Sequence, residues 1–296
     1  MLTNKVVELE NSGSETEDVD IFEQSIFTIF AEARNQHGEP GHYVLYKSDV
    51  YGDIKLRLSD PDKENNSLFS HFLWNARNIA PSAGYKVFFY DAAAFEDFCA
   101  GVQAAEMITE GEFDVKDQTV VEMGAGAGLP SIISVLAGAK QTVISDYPAD
   151  EIISNISQNI DTNITSPPDR QRVSVAGHMW GELSDDLCTA NPGGFTRVIA
   201  ADCFWMDWQH DNLSKSIAHL LAKDGGLCLA IAGYHTGRAK VANFFDSAER
   251  AGLELVGPIR ERNTEGVERE WVRDRGFEDP VERKQWLAIG VFRHKL

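Results

Sequence analysis

The residues best suited to chemistry fall in one short stretch, Val120-Val121-Glu122-Met123-Gly124-Ala125-Gly126-Ala127-Gly128-Leu129-Pro130. An apolar run ends in an acid, and glycines then alternate with alanines before a proline. The run reads as a buried strand and the glycines as a tight turn into a helix. Glycine at alternate positions lets the backbone approach a ligand with no Cβ in the way. Pro130 suits the first helical position, where a missing N–H costs nothing. The dinucleotide spacing G-x-G-x-x-G would need glycine where Leu129 stands, so that ligand class is not indicated. A second acid follows, because the apolar run at 142–145 ends at Asp146. In doubly wound sheets an acid at the tip of the second strand, roughly 20 residues past the glycines, accepts hydrogen bonds from ribose hydroxyls. The plain alternatives are an ordinary strand-to-helix turn at the glycines and a helix N-cap at Asp146.

These positions need a frame. Apolar runs at 119–123, 142–145, 172–176, 197–201 and 226–232 alternate with helix-length stretches at 131–137, 150–160, 211–221 and 239–251. Strands alternating with helices of that length call for an open parallel sheet covered on both faces, an α/β fold. Two closing runs, 253–259 and 285–292, flank a charged loop at 260–284 with no helix-sized apolar pattern, so they are expected to pair antiparallel. Ahead of the sheet, 92–109 reads as an apolar-periodic helix. Residues 42–46 and 54–58 alternate as a β-hairpin with Gly52-Asp53 in the turn region, and 21–33 and 67–79 carry helical apolar spacing. The aromatic run Val87-Phe88-Phe89-Tyr90 falls within 82–91. The expected division is an acidic flexible N-terminus at 1–20, a helical and hairpin extension at 21–91, and a ligand-binding domain at 92–296.

At 296 residues and 43% hydrophobic content the chain can bury one large core. No apolar run approaches the length that spans a bilayer, so no membrane partner is expected. Residues 1–20 lack the basic start and apolar stretch of a secretory signal. Cys99, Cys188, Cys203 and Cys228 stand apart without paired ligand spacing. A cytoplasmic protein with reduced thiols and no metal site is expected. The net charge of −19 repels phosphates, which argues against a nucleic-acid partner and suits a basic protein one. Oligomeric state is not readable from this pattern.

Further motifs run along the chain in order: Leu73-Trp74-Asn75-Ala76, the glycine turn, Ser145-Asp146-Tyr147-Pro148 with Asn155 and Asn159, and His178-Met179-Trp180-Gly181. Then come Ala201-Asp202-Cys203-Phe204-Trp205, Trp208-Gln209-His210 and Tyr234-His235-Thr236-Gly237-Arg238. From about residue 42 onward the chain resembles the family-16 class I S-adenosylmethionine (SAM)-dependent methyltransferases. That group includes protein-lysine methyltransferases and fungal nicotinamide N-methyltransferase-like proteins. The resemblance implies a seven-stranded Rossmann-like class I methyltransferase sheet, here with an N-terminal helix and β-hairpin extension. It also implies SAM as cofactor and S-adenosylhomocysteine as product. It sets Gly124, Gly126 and Gly128 against the methionine and ribose part of SAM, Asp146 on the ribose hydroxyls, and Tyr147 and Trp180 at the adenine. Glu122 and Ala201 are expected among the cofactor's neighbours, and Asp202 is expected to face the sulfonium or the incoming substrate.

Methyl transfer from a sulfonium is an in-line displacement in which the protein mainly aligns the nucleophile and excludes water. Asp202 is a candidate to orient an amine and favour its developing positive charge, or simply to cap the following turn. Phe204, Trp205 and Trp208 are candidates for cation–π contact with the sulfonium or the methylated product, or for packing. His210 and His235 are candidate general bases for a hydroxyl acceptor, or packing residues beside helix starts. Lysine methyltransferases of this family carry D-x-x-Y or D-x-x-F where this chain has Asp202-Cys203-Phe204-Trp205. On that departure the expected acceptor is a nitrogen or oxygen of a small molecule. The alternative is protein-lysine N-methylation of a basic protein, and a second alternative is a SAM-binding, non-methylating partner or cyclase scaffold.

Overall fold

Val120 and Val121, Val143 and Ile144, Val198 and Ile199, and Leu229 through Ala232 are buried at consecutive positions. Because neighbouring strand residues point to opposite faces, such runs need cover on both sides of a sheet. The computed structural model describes residues 5–9, 36–37, 41–59, 73–74, 100–234 and 236–295. Its strands are β1 (Val6–Leu9), β2 (Gln36–His37), β3 (Tyr43–Ser48), β4 (Gly52–Arg57), β5 (Leu73–Trp74), β6 (Thr119–Met123), β7 (Gln141–Asp146), β8 (Val173–Gly177), β9 (Arg197–Ala201), β10 (Leu227–Gly233), β11 (Leu253–Leu255), β12 (Arg260–Asn263), β13 (Glu268–Glu270) and β14 (Trp286–His294). Between them lie the helices α1 (Ala100–Thr109), α2 (Leu129–Leu136), α3 (Asp150–Asn163), α4 (Pro167–Arg170), α5 (Asp186–Ala190), α6 (His210–Leu220), α7 (Arg238–Arg250) and α8 (Pro280–Lys284).

The main sheet runs β13-β12-β14-β10-β9-β6-β7-β8, with β11 also on β14. Strands β8, β7, β6, β9 and β10 are parallel, and β14 is antiparallel to β10. One face packs on α1, α2, α3 and the N-terminal hairpin, the other on α5, α6 and α7. Alternation divides the strands between the two cores: Val120, Ile199 and Leu229 face the first, Val121, Val198 and Cys228 the second.

The antiparallel closing pair is present, but the seven-stranded expectation needs correcting to nine strand segments. The run expected at 253–259 is two pieces: β11 pairs with the end of β14 and β12 with its start. The charged loop at 260–284 supplies the extra edge strand β13 and the helix α8. Its apolar pattern is absent because its pairing is ionic. Across β12 and β13, Arg260 faces Glu270, Glu261 faces Arg269 and Arg262 faces Glu268, and opposite charges in register support a ladder. Beneath them Glu261, fully buried, pairs with Arg238 and Arg269 and accepts from the Tyr234 hydroxyl at 2.8 Å.

The N-terminal part also departs from expectation. The hairpin β3–β4 is present, with Gly52 and Asp53 opening the second strand instead of forming the turn. Residues 1–20 are not uniformly structureless, since Val6–Leu9 adds a third strand to the hairpin. Lys5 reaches Glu106 of α1 at 3.0 Å, and Tyr46 donates to the same carboxylate, which fastens this small sheet to the main domain. Leu73 and Trp74, expected in a helix at 67–79, instead pair as a two-residue strand with Gln36–His37. The expected helix at 21–33, the rest of 67–79, the aromatic segment 82–91 and the first part of 92–109 lie outside the described residues. No helix among the described residues is long and apolar enough to cross a membrane.

Candidate active site

The chain leaves β6 toward β7 and β8 on one side and returns to β9 on the other. Where a parallel sheet changes direction in this way, a crevice opens at the carboxyl ends of the two strands. The glycine turn follows β6 and Asp202 follows β9, so the two motifs face each other across that crevice.

Gly124, Gly126 and Gly128 have φ of 62°, 56° and 79°, the left-handed region that L side chains avoid at a cost of about 1–2 kcal/mol each. A Cβ on Gly124 would stand 2.9 Å from Cζ2 of Trp180 and 3.1 Å from Sγ of Cys203. Asp146 Oδ2 accepts the Gly126 N–H at 2.7 Å, and its Oδ1 accepts the Tyr147 N–H at 2.6 Å. Asp146 thus braces the turn it was expected to serve. Glu122 Oε2 accepts the Ser131 N–H at 3.0 Å, in the first turn of α2. The N-cap of that helix is Gly128, which has no side chain for the task, and Glu122 satisfies an otherwise orphaned donor from outside. Pro130 occupies the second helical position instead of the first.

Asp202 has φ of 61°, and only Asp117 shares this among the described non-glycine residues. Its N–H donates to Ile231 O at 2.8 Å, which pins the strained tip of β9 to β10. Burial pushes the Glu122 carboxyl up to about 8 and that of Asp202 up to about 7, and raises Asp146 as well. The Cys203 thiol donates to Met123 O at 3.1 Å; its burial and the nearby charges of Asp202, Asp146 and Glu122 hold it well above the ordinary thiol range. Among the described residues no lysine, arginine or histidine pairs with any of these three carboxylates. A crevice with acids that no described cation pairs, Glu122 and Asp146 buried and Asp202 partly so, and with a glycine cradle, suits a cationic ligand carrying a ribose. SAM fits that demand, with its sulfonium charge and its nucleoside.

Trp180 is held over Gly124 by a polar chain. Gly181 N–H donates to Ser216 Oγ at 2.8 Å, His178 Nε2 lies 2.9 Å from the same hydroxyl, and His178 Nδ1 lies 2.5 Å from Asp185 Oδ2. Asp185 in turn caps α5 through the Cys188 N–H at 2.9 Å. His178, Asp185 and Cys188 converge closely enough to suggest metal ligands. The 2.5 Å contact is nevertheless a hydrogen bond, because tetrahedral zinc ligands stand about 3.3 Å apart.

Tyr147 lies at the rim, 38% exposed. In the Asp202–Trp205 tetrad, Phe204 turns into the core and stacks on Phe244 at 3.7 Å between centroids, while Trp205 stays partly exposed. His210 belongs to this aromatic core: it meets Phe204 and Phe244 edge-on, and its Nε2–H donates to Phe204 O at 2.8 Å. Burial lowers its pKa. That is the packing alternative to the general-base expectation. Trp208 is 68% exposed, and His235 lies outside the described residues. The structure therefore gathers Glu122, the three glycines, Asp146, Trp180, Ala201 and Asp202 at one crevice. Cys203 and Asn159 also build it; both stood within the quoted motifs but without an assigned role, and Ser216 carried no distinctive local pattern.

The fold and this crevice are of the type found in class I SAM-dependent methyltransferases. A sequence profile described as lysine methyltransferase matches residues 72–251, and the chain belongs to that family, the family-16 methyltransferases. Among similar proteins, the Protein N-terminal and lysine N-methyltransferase EFM7 of Cryptococcus neoformans var. neoformans serotype D (strain B-3501A) is 38% identical over 219 residues, 71% of this chain and 63% of its own. The chain spans 63% of the length of both Cryptococcus relatives it matches. The protein of that name from Yarrowia lipolytica is 30% identical over 228 residues, 71% of this chain and 72% of its own. The one from Schizosaccharomyces pombe is 27% identical over 222 residues, 72% of this chain and 74% of its own. A solved structure assigned to the SAM-dependent methyltransferases, from Streptococcus mutans, superposes with a TM-score of 0.51 at 13% identity, covering 88% of this chain and 56% of that one. That likeness concerns the fold alone.

Proposed function

We propose that this chain methylates proteins, using SAM to modify a lysine side chain or an N-terminal amine of a basic target. The observation that carries this reading is the shared description of its relatives as protein N-terminal and lysine N-methyltransferases, at 27% to 38% identity. It displaces the small-molecule acceptor that the Asp202–Trp205 tetrad suggested. The geometry of that tetrad supports the change: Phe204 is spent on the core, which leaves Trp205 as the partly exposed aromatic at the fourth position, where the lysine enzymes carry Tyr or Phe.

Bound SAM supplies an activated methyl group. The chain's own part is to bring an unprotonated amine into line with it. Asp202 is suited to accept a hydrogen bond from the amine and to stabilise the positive charge that grows on nitrogen as the bond forms. Trp205 offers an aromatic face to the same cation. Trp180 and Cys203 close the turn from above and beside, and so help keep water out.

The test is to incubate the protein with methyl-labelled SAM and a fungal extract and to separate the label by size. Label on a discrete protein, abolished in Asp202→Ala, is expected. Mapping by mass then separates lysine from N-terminal modification. Label confined to the small-molecule fraction would overturn the reading.

A further inference from the structure

The hairpin strand β4 does not pair with the main sheet, yet at Lys55 and Arg57 its outer backbone edge is engaged. Three asparagines one helical turn apart on α3 present their carboxamides to it as a substitute strand edge. Asn163 accepts from Lys55 N–H at 2.9 Å and donates to Lys55 O at 2.8 Å. Asn155 donates to Arg57 O at 2.9 Å and accepts from the Arg57 guanidinium at 3.0 Å. Asn159 accepts from Arg57 N–H at 2.7 Å and donates to Arg57 O at 2.9 Å. It differs from its neighbours in one respect. Its amide nitrogen also donates to Ala127 O, at 3.1 Å, inside the glycine turn.

Asn159 is 1% exposed, and both of its amide hydrogens and its oxygen are used. Loss of the bridge would leave the buried Ala127 carbonyl without its side-chain donor and the Arg57 N–H without its acceptor, and an unpaired buried polar group costs more than the bond is worth. We propose that Asn159 is a positioning residue for the cofactor. It couples the seat of the N-terminal hairpin to the shape of the glycine turn, so the hairpin is a working part of the cofactor site. The proposal rests on the SAM reading of the crevice. It predicts that a ligand or partner pressing on the hairpin alters cofactor affinity without touching the crevice.

The test is a double-mutant cycle read by calorimetric binding of S-adenosylhomocysteine. Asn159→Ala is expected to raise Kd by about tenfold, the size of effect that follows when a buried carbonyl loses its donor. Asn163→Ala releases the hairpin at Lys55 without reaching Ala127 and serves as the comparison. Ile54→Val, a mild perturbation within the hairpin, should raise Kd in the parent background and have no further effect in Asn159→Ala. If Asn159→Ala does not fold, Asn159→Asp keeps the acceptor for Arg57 N–H, removes both donors and is expected to show the same loss. Melting temperatures are followed in parallel. Unchanged affinity in Asn159→Ala, or strictly additive effects of the two substitutions, overturns the coupling even if the melting temperature falls. Absence of binding by the parent protein removes the cofactor reading itself, and the coupling with it.

Discussion

Gly124 tolerates nothing larger, for two separable reasons. Its φ of 62° disfavours any side chain, and a Cβ there meets the Trp180 indole at 2.9 Å. Gly124→Ala should therefore weaken SAM binding at least tenfold by displacing Trp180, while the melting temperature falls by only a few degrees. Calorimetry beside a thermal melt separates the two effects. The carboxylates give a second residue-scale expectation. Folding raises Glu122 to about 8, so the native state retains a proton that the unfolded chain has lost above about pH 4.3. Stability conferred by the protonated form is complete below that lower value and is lost as pH rises through about 8. Melting temperatures of the ligand-free protein should decline over this window, and Glu122→Gln should flatten the decline. For Asp202, raised to about 7, a cationic ligand favours the ionised form, so SAM affinity should climb as pH rises through about 7. Asp202→Asn should remove that limb, as binding isotherms at several pH values would reveal.

At the scale of elements, the ionic cluster around Glu261 decides whether β12 and β13 stay on the sheet. Glu261 is fully buried, and its removal takes one of two carboxylates from Arg238, itself 6% exposed, which keeps Glu278 at 2.7 Å and lies 4.2 Å from the centre of the Tyr234 ring. Glu261→Ala should cost about 2–3 kcal/mol in urea unfolding, since Arg238 retains Glu278, against about 1 kcal/mol for Tyr234→Phe, which removes one hydrogen bond. The same cluster explains what sequence periodicity reads and what it misses. The parallel strands β6, β7, β9 and β10 were legible because burial on both faces demands unbroken apolar runs. Gly124, Gly126, Gly128, Asp146 and Asp202 were legible because strand tips and turns impose residue types locally. Arg260–Asn263 and Glu268–Glu270 were not, since a strand stabilised by facing charges has no apolar signature. His210 pointed to chemistry by type alone, and only the position of Phe244, far along the chain, assigns it to the core.

The molecule as a whole carries a net charge of −19. An acidic enzyme acting on a basic protein collects its substrate through long-range attraction, which salt screens within about 10 Å at 0.1 M. KM for the protein target should rise several-fold between low and moderate ionic strength with kcat nearly constant, whereas a small neutral acceptor would show no such slope. Steady-state kinetics across a salt series would distinguish them. One small group inside the crevice has a practical consequence. The buried Cys203 sulfur lies against Gly124, whose other neighbour is the Trp180 indole; it is bonded to Met123 O and close to three acids. An alkylating reagent can meet it only during those moments when the indole lifts and the strand tips part. The rate at which that single thiol becomes labelled, followed by peptide mass, is therefore a clock for the breathing of the cleft, and a bound cofactor should slow it.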